Sequence, residues 1–191
     1  MAELTDLLGR PVLEAAPRLL GATFTHGGVT VRLTEVEAYD GPDDPGSHAF
    51  NGMTKRNAVV FGPPGHLYVY FTYGMHHCCN VSCGPEGQPS AILLRAGEVV
   101  DGIETARSRR GRSTDRDLAR GPGRLCQALG IDLGDNGLDL CDVLVPGPPV
   151  DTVSTGPRVG LRKAADWPWR FWVTGDPTVS RYVAAKPGQP S

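Results

Sequence analysis

Lysine is scarce in this 191-residue chain: Lys55, Lys163 and Lys186 are the whole complement among 19 basic residues. None stands in a recognisable helix-hairpin-helix motif, so chemistry through a lysine Schiff base has little to draw on. Long apolar runs are missing too. No stretch approaches the roughly 18–20 apolar residues of a membrane helix. The N-terminus, MAELTDLLGRPVLEAAPRLLGATF, lacks the basic-then-apolar layout of a secretory signal, which places the chain in the cytoplasm. The five cysteines are an odd number, and in an unsecreted chain that argues for reduced thiols and against a disulfide framework. A strong charge of one sign is also absent. The formal net charge is −2, which alone gives no support to a nucleic-acid partner.

The remainder is ordinary globular material, 40% hydrophobic and 21% charged, without repeats, heptads or a linker. The length fits one domain over residues 1–191 with a frayed end at about 185–191. Charge is unevenly spread. Residues 1–50 carry three Arg against eight acids, whereas residues 51–125 carry ten Lys and Arg against six. The basic excess gathers in RSRRGRSTDRDLARGPGR. Arg107, Arg109, Arg110 and Arg112 there form either a solvated loop face or a patch for phosphates.

Residues 7–20 have apolar positions at helical spacing broken by Gly9 and Pro11, which predicts two short helices. Alternation around His26-Gly27-Gly28 predicts a hairpin whose second strand runs to Tyr39. The stretch GPDDPGSHAFNGMTKRNAVVFGPPG reads as a long loop, and such loops are usually functional or disordered. HLYVYFTYG and HHCCNVSC read as paired strands, and SAILLRAGEVV as a further buried strand. Residues 101–109 and RLCQALGI read as short helices, and residues 170–174 as an aromatic strand. The expected fold is mixed α/β: a curved, mainly antiparallel sheet flanked by short helices.

Glu35, Glu37 and Tyr39 stand two apart in TEVEAYD, so all three face one side of a strand. That face is either solvated or the wall of a site. Ser47-His48 ends the following loop, the hairpin supplies Tyr68, Tyr70 and Tyr73, Asn80 stands in an apolar strand, and Arg95 closes AILLR. An acid, a histidine, aromatics, an amide and an arginine are what a pocket needs to stack a flat heterocycle and activate a water. Tyr68 reads as core, and Glu35 as a structural or hydrogen-bonding neighbour of Glu37. His76, His77, Cys78, Cys79 and Cys83 are zinc-ligand types, but there is no Cys-x-x-Cys, and adjacent strand residues point to opposite faces.

The combination E-A-Y-x-G-P-x-D, R-N, P-G-x-x-Y-V-Y, Y-G-M and G-P-G-x-L, spread over residues 10–183, resembles the methylpurine (alkyladenine) DNA glycosylase family. The resemblance implies a monomeric, monofunctional bacterial enzyme that acts on duplex DNA containing a damaged purine, without metal or cofactor. It implies that Glu37 activates the attacking water, that Arg95 helps to hold that water, and that the backbone carbonyl of Val159 contacts it. Tyr39, His48 and Tyr70 would sandwich the flipped base, and Asn80 would crowd its exocyclic position. Tyr73 would fill the gap left in the duplex. Flipping costs a few kcal/mol, and stacking on an aromatic returns about 1–3 kcal/mol per base. A nucleoside hydrolase would share the carboxylate chemistry but need neither wedge nor basic strip. A lesion-binding protein would not need Glu37 and Arg95.

Overall fold

A computed structural model describes residues 2–72, 74–85 and 87–185. Tyr73, the expected wedge, and residues 186–191 of the expected frayed end lie outside the described residues.

The chain opens with α1 (Ala2–Leu8) and α2 (Val12–Ala15), the latter running into a 3-10 turn at Ala16–Leu19. Pro11, with φ −51° and ψ 138°, divides them, because proline cannot donate to a continuing helix and pushes the residue before it out of the α region. A hairpin follows, β1 (Thr23–His26) and β2 (Val29–Tyr39). Its two-residue turn, Gly27-Gly28, has φ of 55° and 75°, the double positive φ that a type I′ turn demands. Next come β3 (Leu67–Thr72), β4 (His76–Cys83) and β5 (Ser90–Asp101). The helices α3 (Ile103–Arg110) and α4 (Pro122–Leu129) intervene before β6 (Leu144–Val145), β7 (Val153–Gly156) and β8 (Arg170–Val173). The short strands β6 and β7 have no counterpart in the sequence expectations.

The eight strands form one antiparallel sheet in the order β3-β4-β5-β2-β1-β6, with β8 pairing both β2 and β7. The fold is thus mixed α/β, as the pattern of elements predicts. The long strand β2 lies at its centre, with β5 along one edge and β1 then β8 along the other.

A bulge in β2 positions the site. Val29, Val31 and Leu33 are buried in the core. Register with β5 then shifts between Leu33 and Glu35 and again between Glu35 and Val36, leaving Thr34 unpaired. Past the bulge the core positions change from odd to even, to Val36 and Ala38. An extra residue in one strand re-aims the side chains beyond it. Gly97, opposite Leu33, permits the close approach there: a Cβ would lie 2.3 Å from Val31 Cγ1 and 2.4 Å from the Arg32 carbonyl oxygen.

The two faces of the sheet differ in chemistry. Leu67, Val69, Cys79, Val81, Ile92, Leu94, Val36 and Ala38 join the apolar core, and α3 and α4 pack against β2 and β5. On the other face one cross-strand row reads Tyr68, Asn80, Leu93, Glu37, Arg170. The loop residues His48, Val159 and Ser180 bond to side chains of that face.

Candidate active site

Glu37 is fully buried, so the solvated alternative for this strand is excluded. Its Oε1 accepts the Val159 backbone N–H at 2.7 Å and lies 3.3 Å from Arg95 Nη1. Its Oε2 accepts the Tyr39 hydroxyl at 2.8 Å. A carboxylate has about four lone-pair sites, so these contacts fix the group and leave acceptor capacity for a water. The Val159 contact is made by the amide N–H. It pins the carboxylate.

The charges around Glu37 are held in their working forms. Burial opposes the charge of Arg95, but Glu37 and Glu35 beside it more than offset that, and its pKa rises above the ordinary value. Tyr39 has its hydroxyl pKa pushed well up by burial and by Glu37, so it remains a phenol that donates. Behind its ring stands Arg158, its guanidinium carbon 4.6 Å from the Tyr39 centroid and 5.1 Å from that of Trp169. Arg158 is fully buried and forks onto Asp44, with Nη2 donating to Oδ1 at 2.8 Å, while Nη1 also donates to the Ala38 carbonyl at 2.9 Å. Asp44 further accepts the Gly46 N–H at 2.8 Å, which shapes the loop that carries His48.

His48 and Tyr70 pack against each other. Their rings meet edge-to-face at 4.6 Å and 73°. The His48 Nδ1 lies 3.1 Å from the Tyr68 hydroxyl. Tyr68 is buried, as expected of core, but it shares the face of Tyr70 and lies 5.6 Å from it, so it belongs to the pocket wall as well. The spacing of two residues between Tyr68 and Tyr70 carried that information. Asn80 is buried and donates to the Tyr68 carbonyl at 3.2 Å. Cys78, opposite Tyr70 in the register, enters the same wall. Burial, then the nearby Cys126, pushes its thiol up to about 12, so it stays a neutral thiol and no nucleophile.

Desolvation and the neighbouring Arg56 push His48 down to about 4. A histidine depressed in the fold is neutral there and protonated when unfolded. Its contribution to stability is therefore present above about pH 6.5 and is lost as the pH falls toward 4. NMR titration is expected to show the His48 imidazole neutral from pH 8 to 5.5. A midpoint near 6.5 would contradict this environment.

The arginine strip divides. Arg107 pairs with Glu104 and, at 2.8 Å, with Asp115. Arg109 donates to the Ala128 carbonyl at 2.8 Å and the Gly27 carbonyl at 2.7 Å, and Arg110 donates to the Leu118 carbonyl at 2.9 Å and to Gln127. These residues hold α3 to α4 and to the first hairpin. Gly27 is ten residues from Glu37 along β2, roughly 30 Å at strand rise. Arg112 and Arg124 are exposed, and no ion pair or hydrogen bond engages them among the described residues. Arg124 lies near the hairpin of β3 and β4, because its neighbour Gly123 packs against His76.

All five cysteines are free. Among the described residues no group of three or more His, Cys, Asp or Glu is arranged to hold a metal ion, and no helix is long and apolar enough to cross a membrane. The sequence pattern alone does not single out Asp44 and Arg158. Asp44 stands inside the motif E-A-Y-x-G-P-x-D and Arg158 directly precedes Val159, but their pairing depends on a fold contact 114 residues apart in sequence.

A sequence model of the methylpurine-DNA glycosylase family matches residues 6–177. With that match the class is fixed: a DNA glycosylase, a hydrolase of N-glycosyl bonds whose partner is DNA. The chain belongs to the methylpurine-DNA glycosylase family. It is 53% identical to a protein of Streptomyces avermitilis over 95% of this chain and 92% of that one. It is 55% identical to a Nocardia farcinica protein over 88% of this chain and 85% of that one, and 49% identical to a Cutibacterium acnes protein over 91% and 96%. Each of the three carries the name "Putative 3-methyladenine DNA glycosylase".

Proposed function

We propose that the protein is a monofunctional glycosylase of base excision repair. It acts as a monomer in the cytoplasm on alkylated purines of the 3-methyladenine type, and on hypoxanthine. The damaged base leaves the duplex, enters between Tyr39, Tyr70 and His48, and is cut from its sugar by a water that Glu37 deprotonates. The observation that carries this reading is the buried Glu37 carboxylate, fixed by Arg95, Tyr39 and Val159 beside an aromatic wall.

A base within a duplex hides its glycosidic bond, so extrusion precedes chemistry. Tyr73, between β3 and β4, is the proposed wedge, and Asn80 the residue that crowds the purine's exocyclic group. An alkylated purine carries positive charge and favours electron-rich faces, which Tyr39 and Tyr70 supply. As the bond to the sugar breaks, charge develops on the sugar, and a fixed carboxylate both stabilises it and takes the proton from water. The fixed carboxylate of Glu37, with Lys163 instead 5.6 Å over the Phe50 ring, favours water over a lysine as nucleophile.

The test is a duplex with a single hypoxanthine or alkylated adenine, incubated with the protein and then treated with hot alkali. Cleavage only after alkali is the expected result. A shifted but uncut duplex would mean a lesion-binding protein. Turnover of free nucleoside without duplex would mean a nucleoside hydrolase.

The unpaired Arg112 and Arg124 are the members of the strip suited to phosphates. Arg112→Glu with Arg124→Glu is expected to weaken every duplex about equally and to reduce the salt dependence of binding, because phosphate contacts carry no lesion information. Binding titrations between low and moderate salt check it. An unchanged salt slope would leave the strip as a solvated face. Arg109→Glu is expected instead to lower the melting temperature, since it strips bonds from the Ala128 and Gly27 carbonyls.

A further inference from the structure

The second carboxylate of the central strand is not idle. Glu35 is fully buried and gathers four donors: Arg95 Nε at 2.9 Å, Arg170 Nε at 2.6 Å, the Ser180 N–H at 2.6 Å and the Ser180 hydroxyl at 2.9 Å. Arg95 Nη2 also donates to the Ser180 hydroxyl, at 3.3 Å. Two of the three guanidinium nitrogens of Arg95 are therefore committed on this side. Only Nη1 remains for Glu37, at 3.3 Å.

We propose that Glu35, with Ser180, is a positioning unit for base excision: it locks the rotamer of Arg95 so that one nitrogen stays aimed at Glu37. This rests on the reading of Glu37 as the group that activates water. Arginine has a long flexible stem, and a planar fork held on two edges presents its third in one direction only. The two acids and two arginines, Glu35, Glu37, Arg95 and Arg170, are all buried and balance in charge. Ser180 is itself fixed from outside the cluster. Its carbonyl accepts Arg170 Nη2 at 2.8 Å, and the carbonyl of the preceding Val179 accepts Arg120 Nε at 2.8 Å. Thr178 hydrogen-bonds the unpaired bulge residue Thr34 at 2.8 Å. The chain over 176–180 thus straps the back of the site against the bulge that turned Glu35 inward.

The test compares single-turnover excision and lesion-duplex affinity in the full chain for Ser180→Ala, Glu35→Gln, and the charge-balanced double variant Glu35→Gln/Arg170→Gln. The single-turnover rate constant reports the chemistry of folded enzyme, whereas a purely structural defect lowers only the amplitude. Ser180→Ala removes two of the bonds with no change of charge and is expected to slow excision about 10-fold with unchanged affinity. Glu35→Gln is expected to slow it about 100-fold, the loss typical of a misplaced reacting group. The double variant is expected to recover thermal stability without recovering rate. A normal rate constant in Ser180→Ala, or recovery of rate together with stability in the double variant, would overturn the proposal. Failure of the reading beneath it is separate: an active Glu37→Gln would remove Glu37 as the base, while an inactive Glu37→Gln beside a normal Ser180→Ala would remove only the positioning role.

Discussion

Glu37→Gln is expected to bind a lesion duplex as the parent protein does and to excise the base about 100-fold to 10,000-fold more slowly, the range for loss of a general base. The amide keeps the shape of the carboxylate. Its oxygen can still accept the Val159 N–H, now at 2.7 Å, so the loop that closes over the site is retained. What is lost is the ability to take a proton from water and the negative charge facing the sugar. With the oxygen on the Val159 side, the amide nitrogen faces the Tyr39 hydroxyl, which can turn to accept from it. Single-turnover excision alongside a binding titration separates the two effects. Near-normal excision by the folded variant would remove Glu37 from its role.

The largest expected effect on stability falls on Asp44, which does not itself touch Glu37. Asp44→Ala leaves the Arg158 guanidinium buried without its counter-charge, since both side chains are fully inaccessible. Removing one partner of a buried pair costs about 3–5 kcal/mol. In a domain of this size that corresponds to a melting temperature lower by roughly 6–20 °C. Arg158 already has one buried nitrogen, Nε, without a hydrogen-bond partner, so it has little means of compensating. Activity is expected to fall with stability, because Arg158 backs the ring of Tyr39 and adjoins Val159, which pins Glu37. A thermal melt measures it. A change of only a few degrees would mean that water reaches Arg158 and that the pair is less enclosed than its geometry implies.

Much of the site was legible because its chemistry is written in short segments. TEVEAYD places Glu37 and Tyr39 on one face of a strand, LYVYFT does the same for Tyr68 and Tyr70, and SAILLRAGEVV sets one cation, Arg95, within a buried strand. Alternation within a strand is a local property, and a window of six residues contains it. Legibility ends where locality fails. Tyr68 is core, as its strand pattern predicts, but its bond to His48 joins it to a distant loop that no short window contains. The arginine strip read as one surface, yet the helix of α3 turns successive residues in different directions. Arg109 and Arg110 are consumed in binding carbonyls and side chains of α4 and its neighbours.

By itself the sequence determined the class of fold, the order of the main strands and helices, the family, and the residue types gathered for a pocket. These follow from periodicity, turn chemistry and spaced motifs, all of which act over a few residues. The tertiary structure alone decided whether the acidic strand is solvated or enclosed. The bulge at Thr34 shifts the register of β2, strand β8 pairs alongside Glu35 and Glu37, and Val159 and Ser180 bond onto the two carboxylates. It also decided which donors each carboxylate meets: Arg95 for Glu35 across 60 residues, the Val159 N–H for Glu37 across 122, and the Ser180 N–H for Glu35 across 145. A buried carboxylate must find its donors wherever the packed chain brings them, and no local pattern encodes contacts over such separations.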